Sequence, residues 1–192
     1  VYGIESYRDK MPVPARMPAF WLHNDQIDFL KNTKDNLSAE VISETYKYPS
    51  VNVVGKVEGT DAKLKNEYIL FSGHQDHDGV RQKYGQDSIY NGADDNASTC
   101  VAMLAIARAF KKQPAKRSAL FVFHGAEERG LLGSYWYASH PTVSQKDIIA
   151  VLNGDMIGRN DINQAALLGS SDPHQNSSDL VSIAKKANDE GP

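Results

Sequence analysis

The chain has 192 residues, 41% hydrophobic and 23% charged, enough for one domain with a real core and tight for two. A formal net charge of -3 gives no electrostatic case for nucleic acid or an anionic membrane surface as a partner. One cysteine, Cys100, excludes an internal disulfide, and no apolar run approaches the roughly 20 residues that span a bilayer.

The chain opens at Val1 with Pro12, Pro14 and Pro18 and without a charged or apolar leader, so no signal peptide is visible. DQIDFLKN (25–32) fits a short helix with Asn24 as N-cap. Strands are expected over 39–48 and 51–59, either side of Pro49-Ser50, and over 67–74 (EYILFSGH), with a polar, glycine-bearing loop from 75 to 93. ASTCVAMLAIARAFKK (97–112) is the strongest helix, apolar nearly all round and ended by Lys111, Lys112 and Pro114. Next come a second buried strand (118–125), a helix (131–140), a third buried strand (147–155), a fourth (165–169) and an amphipathic helix (177–189). Apolar strands alternating with helices indicate an α/β fold, a mostly parallel, mixed sheet covered on both faces as a three-layer α/β/α sandwich. The chain stops at Glu190-Gly191-Pro192 directly after a helical pattern, and both ends read as cut.

Each strong strand runs into acid or imidazole: the first into His74-Gln75-Asp76, the second into His124-Gly125-Ala126-Glu127-Glu128, the third into Asn153-Gly154-Asp155. A fourth cluster, NGADDNAS (91–98), opens the long helix. Neighbouring parallel strands share one carboxyl edge, so these groups should converge. Carboxylates crowded around an imidazole repel one another unless a cation sits among them, and a divalent ion such as zinc accepts both donor types. Adjacent Glu127 and Glu128 suit a division of labour in which one binds metal and the other takes a proton from the attacking water.

In combination these four motifs resemble the co-catalytic di-zinc aminopeptidases of metallopeptidase family twenty-eight, the aminopeptidase Y and bacterial leucyl aminopeptidase type. The resemblance runs over roughly residues 51–190. It implies a zinc-exopeptidase fold and an exopeptidase acting on peptides, with two zinc ions in a complete site. By motif position it makes His74 a ligand of one ion, Asp76 the carboxylate that orients His74, Asp94 the bridging ligand and Asp155 the ligand sharing the His74 ion. Glu127 becomes the general base and Glu128 the ligand of the other ion, and the Asp94–Asp95 peptide is expected to be cis. The resemblance also implies a secreted, periplasmic or cell-surface protein.

One departure stands out. The family has a fifth ligand, a later histidine, and here the only histidine after Asp155 is His174, too early and in the wrong setting. The missing ligand is therefore expected beyond Pro192, leaving one ion or none in this chain. Residues 1–37 are read as a separate segment, the tail of a protease-associated insert, and 38–192 as the catalytic domain, incomplete at its C-terminus. A carboxypeptidase, a relative of the glutaminyl cyclases and a non-catalytic receptor-like ectodomain are the rival readings.

The remaining polar residues receive plainer roles. His77 and Asp78 are loop residues within reach of substrate, His124 is structural, and Cys100 belongs to the core rather than to a nucleophile. Tyr135 and Trp136 are read as packing. The sequons at Asn36, Asn96 and Asn176 carry little weight. No G-x-S-x-G, H-E-x-x-H or P-loop pattern is present.

Overall fold

The computed structural model describes residues 24–34, 36, 38, 47, 49–162, 164–168 and 177–191. The chain divides into two compact units, Val1–Ser50 and Val51–Pro192. In the first, a 3-10 turn (Asn24–Gln26) runs into helix α1 (Ile27–Asn32), where Asn32 Nδ2 donates to the Asp28 carbonyl at 2.7 Å. The strand expected over 39–48 falls, save Lys47, outside the described residues.

The second unit is built on a four-stranded sheet: β1 (Val53–Val57), β2 (Tyr68–His74), β5 (Ser118–His124) and β6 (Ile148–Asn153), in the order β1-β5-β2-β6. Strand β2 is parallel to β5 and to β6, while β1 runs antiparallel to β5, so the sheet is mixed and mostly parallel. The apolar run of β5 puts alternate residues on opposite faces. Leu120 and Val122 pack with Leu70 and with Tyr137 of helix α3 (Leu132–Ser139). Ala119 and Phe121 pack on the other side with Met103 of helix α2 (Ala97–Lys112). There the Phe71 and Phe121 rings stack at 5.2 Å and Phe110 meets Phe71 edge-on at 5.8 Å. Helices on both faces make the expected three layers. Helix α4 (Ser178–Asp189) closes the described chain.

Two glycines let α2 sit unusually close to the sheet. A Cβ on Gly73 would lie 2.7 Å from Thr99 Cγ2, and one on Gly154 would meet the same methyl at 2.7 Å. The first turn of α2 is thereby wedged between the ends of β2 and β6.

Three expectations differ from the structure. The expected loop 75–93 contains a hairpin, β3 (Gly79–Tyr84) with β4 (Asp87–Tyr90). It turns at Gly85, whose φ of 64° suits glycine. Val80 and Ile89 are 77% and 55% exposed, so among its described side chains the hairpin leaves little hydrophobic pattern to read. Residues 165–168 form no strand, and Leu168 stands 82% exposed. Strand β6, expected to be buried, lies last in the order of the described sheet and leaves Ile149, Val151 and Leu152 46%, 55% and 49% exposed.

Candidate metal centre

Strands β2, β5 and β6 run the same way, so His74, His124 and Asn153 end at one edge of the sheet. His74 is 4% exposed. Its Nδ1 lies 2.9 Å from the Asp76 backbone carbonyl, a bond in which Nδ1–H donates and Nε2 keeps its lone pair. Nε2 is buried with no hydrogen-bond partner. It faces Asp95 Oδ1 at 3.0 Å, Asp155 Oδ1 at 3.4 Å and Glu127 Oε2 at 3.8 Å. A buried, unpartnered nitrogen aimed at three carboxylates is costly unless a cation completes the set. Imidazole nitrogen with carboxylate oxygen is a donor set that zinc accepts. His74, Asp95 and Glu128 each present a donor atom, all within 4.8 Å of one another.

The loops that carry these residues are held by side chains outside the cluster. The Asp76 carboxylate accepts the backbone N–H of Glu127 at 3.0 Å and of Glu128 at 3.3 Å. Asn52 accepts Gly125 N–H at 3.0 Å and donates to the Gly133 carbonyl at 2.8 Å, clamping the start of that loop to α3. Asn96, 2% exposed, donates to the Gly154 carbonyl at 3.1 Å and accepts Met156 N–H at 3.3 Å, joining the start of α2 to the end of β6. That burial leaves no room for a glycan at the Asn96 sequon.

Of the residues singled out in the sequence, the structure brings His74, Glu127, Glu128 and Asp155 together and treats two others differently. Asp94 turns away: its Oδ1 accepts Gly158 N–H at 2.7 Å, and its backbone carbonyl accepts Ser98 Oγ–H at 2.6 Å. Its neighbour Asp95 points into the cluster instead, because Asn96 pins the chain on the side of β6. The cis peptide is Asp95–Asn96, one residue after the expected position. The Asp76 carboxylate stands 3.8 Å from His74 Nδ1, and the carbonyl of the same residue makes the orienting bond.

The charges shape the titration of the site. Burial opposes protonation of His74, but the Asp76 carbonyl and the charges of Glu127, Asp155 and Asp95 outweigh it and raise its pKa above 6.5. Burial pushes the Glu127 carboxyl up; protonated His74 pulls it back, while Glu128, Asp155 and Asp76 push it further. The net shift is upward, toward the range that suits a general base.

Reasoning from sequence missed the part played by His77. Its Nδ1 contacts Glu128 Oε1 and lies 3.9 Å from Asp95 Oδ2, at the heart of the cluster. The available signal was a second imidazole only three residues past His74, on the same strand exit. His124 packs edge-on against Tyr137 at 5.9 Å, and burial, with the nearby charge of His74, lowers its pKa. It also lines a cavity of about 250 Å³ with Leu131, Ser134 and Asn153, beside Glu127 and Asp155. The half-buried Cys100 thiol is held against the His74 carbonyl at 3.1 Å, and burial raises its pKa, as befits an inert thiol. Trp136 is 62% exposed and stacks on His140 at 3.9 Å, so Tyr137 rather than Trp136 or Tyr135 supplies the packing.

Residues 52–191 match the model of Peptidase family M28. The chain is similar to a vacuolar membrane protease of Candida glabrata, 33% identical over 65% of this chain and 12% of that protein. It is also similar to aminopeptidase YwaD of Bacillus subtilis, 38% identical over 44% of this chain and 19% of that protein. A third relative, a probable zinc metalloprotease of Pyrenophora teres f. teres, is 32% identical over 64% of this chain and 25% of that protein. The matches thus span no more than 25% of the length of these three curated relatives. No helix among the described residues is long and apolar enough to cross a membrane.

Proposed function

Since this chain belongs to peptidase family M28, we propose that its rim of carboxylates and imidazoles holds two zinc ions and serves an aminopeptidase that removes N-terminal residues from peptides. The observation that carries the reading is His74 Nε2, buried without a partner and facing Asp95 at 3.0 Å and Asp155 at 3.4 Å. His74, Asp95, Glu128 and Asp155 are the residues assigned to hold the ions, with Asp95 taking the bridging place that the motif alone gave to Asp94. When bound, such ions supply Lewis acidity toward a peptide carbonyl and lower the pKa of an attacking water toward neutrality. The zinc metalloprotease and aminopeptidase among the relatives support metal and reaction alike.

Glu127 is assigned the proton. It stands 3.8 Å from His74 Nε2 and lines the cavity, with its carboxyl raised in pKa and its backbone N–H fixed by Asp76. It takes a proton from the water that attacks the scissile carbonyl and returns it to the leaving amine. The cavity beside it, walled by Leu131, Ser134 and His124, is the space for the side chain of the substrate's first residue. Action outside the cytoplasm is part of this proposal.

Glu127→Gln tests the assignment. Zinc content should persist while hydrolysis of aminoacyl amides falls by roughly 10²–10⁴-fold or more. Unchanged turnover removes Glu127 from the role. Preference for N-blocked dipeptides over free aminoacyl amides would favour a carboxypeptidase, and cyclisation of N-terminal glutamine would favour the cyclase relatives.

A further inference from the structure

We propose that the cavity beside Glu127 selects a carboxamide side chain, so that peptides beginning with asparagine or glutamine are the preferred substrates. This rests on the aminopeptidase reading above and deepens it by naming the side chain of the first residue.

At about 250 Å³ the cavity is smaller than the roughly 300–1,000 Å³ of sites for drug-sized ligands, so it suits one side chain rather than a stretch of peptide. Among the described residues that line it, Leu131 is the one apolar side chain. A site for a leucine or phenylalanine side chain would be walled mainly by apolar groups. Here Ser134 of α3 and Asn153 at the end of β6 join the lining instead.

These two side chains complement each other in what they offer. Asn153 Oδ1 accepts Ser72 Oγ–H at 2.7 Å, and Ser72 is 4% exposed, so the oxygen of that amide is engaged inside the protein. Asn153 keeps Nδ2, which only donates. Ser134 is the converse. Its Oγ–H donates to the Leu131 carbonyl at 3.0 Å, which leaves the lone pairs of the oxygen to accept. The lining therefore holds one donor and one acceptor, both uncharged. A carboxamide answers both, its oxygen accepting from Asn153 and its nitrogen donating to Ser134. A carboxylate of the same shape cannot donate to Ser134, and Glu127 on the same lining repels it. A leucine side chain leaves the Asn153 donor desolvated and unpaired.

The fold holds these groups in place. Leu131 has a φ of 61°, a conformation that a leucine keeps only under constraint. Its N–H donates to the Glu127 carbonyl at 2.8 Å, and its carbonyl accepts Tyr135 N–H at 3.0 Å as well as the Ser134 hydroxyl. The acceptor of the cavity is thus tied to the loop that carries the proposed base. Tyr137 meets the His124 ring edge-on at 5.9 Å and steadies it as a flank for the methylene groups next to the amide.

The rival account is an apolar side chain held by Leu131. Asparagine is the probe, because an N-terminal glutamine also cyclises onto its own amine. The zinc-loaded full chain is titrated by calorimetry with the hydroxamates of L-asparagine, L-aspartate and L-leucine, three side chains of similar shape on one metal-binding head. Hydrolysis of the matching aminoacyl amides is followed alongside. The asparagine compound should bind ~10-fold or more tightly than either of the others, as two neutral hydrogen bonds provide. Ser134→Ala and Asn153→Leu should each cut that preference by ~3-fold or more. Circular dichroism checks folding, and Ser134→Ala carries the test alone if Asn153→Leu does not fold. A smaller preference in the wild type, or a preference for leucine or aspartate, overturns the proposal, and turnover of the amides then leaves the aminopeptidase standing. A preference that Ser134→Ala leaves intact overturns it equally. Selective binding of asparagine without hydrolysis of any amide supports the cavity's selectivity and sinks the peptidase assignment alone. No binding of any hydroxamate overturns both.

Discussion

At the scale of single residues, the centre is a balance of charges whose protonation can be read out. The pKa of His74 is raised, and zinc binds only the neutral ring. As pH falls, zinc affinity should therefore decline from above 6.5 rather than from the ordinary imidazole value, a shift that competition with a chromophoric chelator measures. Glu127 is also raised, first by burial and then by the charges of Glu128, Asp155 and Asp76, against the pull of His74. A group raised on folding contributes stability below its unfolded pKa and loses it as pH rises through the folded one. Glu127→Gln should accordingly leave the metal-free chain unchanged in acid and make it more resistant to urea at neutral pH. Equal urea midpoints for variant and wild type at neutral pH would refute that. Most of this site was legible in the sequence, because acids and imidazoles at strand ends have few structural reasons to be there. What was not legible was which of two adjacent aspartates turns inward. That choice is made by Asn96, a buried amide whose partners Gly154 and Met156 lie 58 and 60 residues away in the chain.

At the scale of elements, the site depends on close approach. Thr99 of α2 fits against Gly73 and Gly154, and a Cβ at either glycine would lie 2.7 Å from its methyl. Gly154→Ala should push the first turn of α2 outward, cost about 1–3 kcal/mol of stability, and weaken metal binding through the displaced Asp95. A calorimetric melt and a zinc titration on one preparation check both effects. Loss of stability with unaltered zinc affinity would detach Asp95 from this contact. The main strands and helices were visible as apolar runs and helical periodicity, because β2 and β5 bury most of what they carry and α2 turns Met103 onto the sheet. The β3–β4 hairpin was not visible, since its paired Val80 and Ile89 both stand mostly exposed.

At the scale of the whole molecule, metal and fold are linked. Ions that bind only the folded chain stabilise it by mass action, about 2.7 kcal/mol at a hundredfold excess over the dissociation constant. For a unit of this size that corresponds to roughly 5–10 °C in melting temperature. A chelator should lower the thermal midpoint by that order and added zinc should restore it, as differential scanning fluorimetry would show. A midpoint indifferent to both would disconnect the centre from folding. The coupling runs through Asp76, whose carbonyl fixes the His74 ring while its carboxylate fixes the peptide groups of Glu127 and Glu128. On the proposed assignment, the ligand His74 and the base Glu127 both lean on this one residue. A side-chain substitution at position 76 keeps the carbonyl and removes only the carboxylate, so Asp76→Ala should loosen the Glu127–Glu128 turn while the His74 ring stays in place.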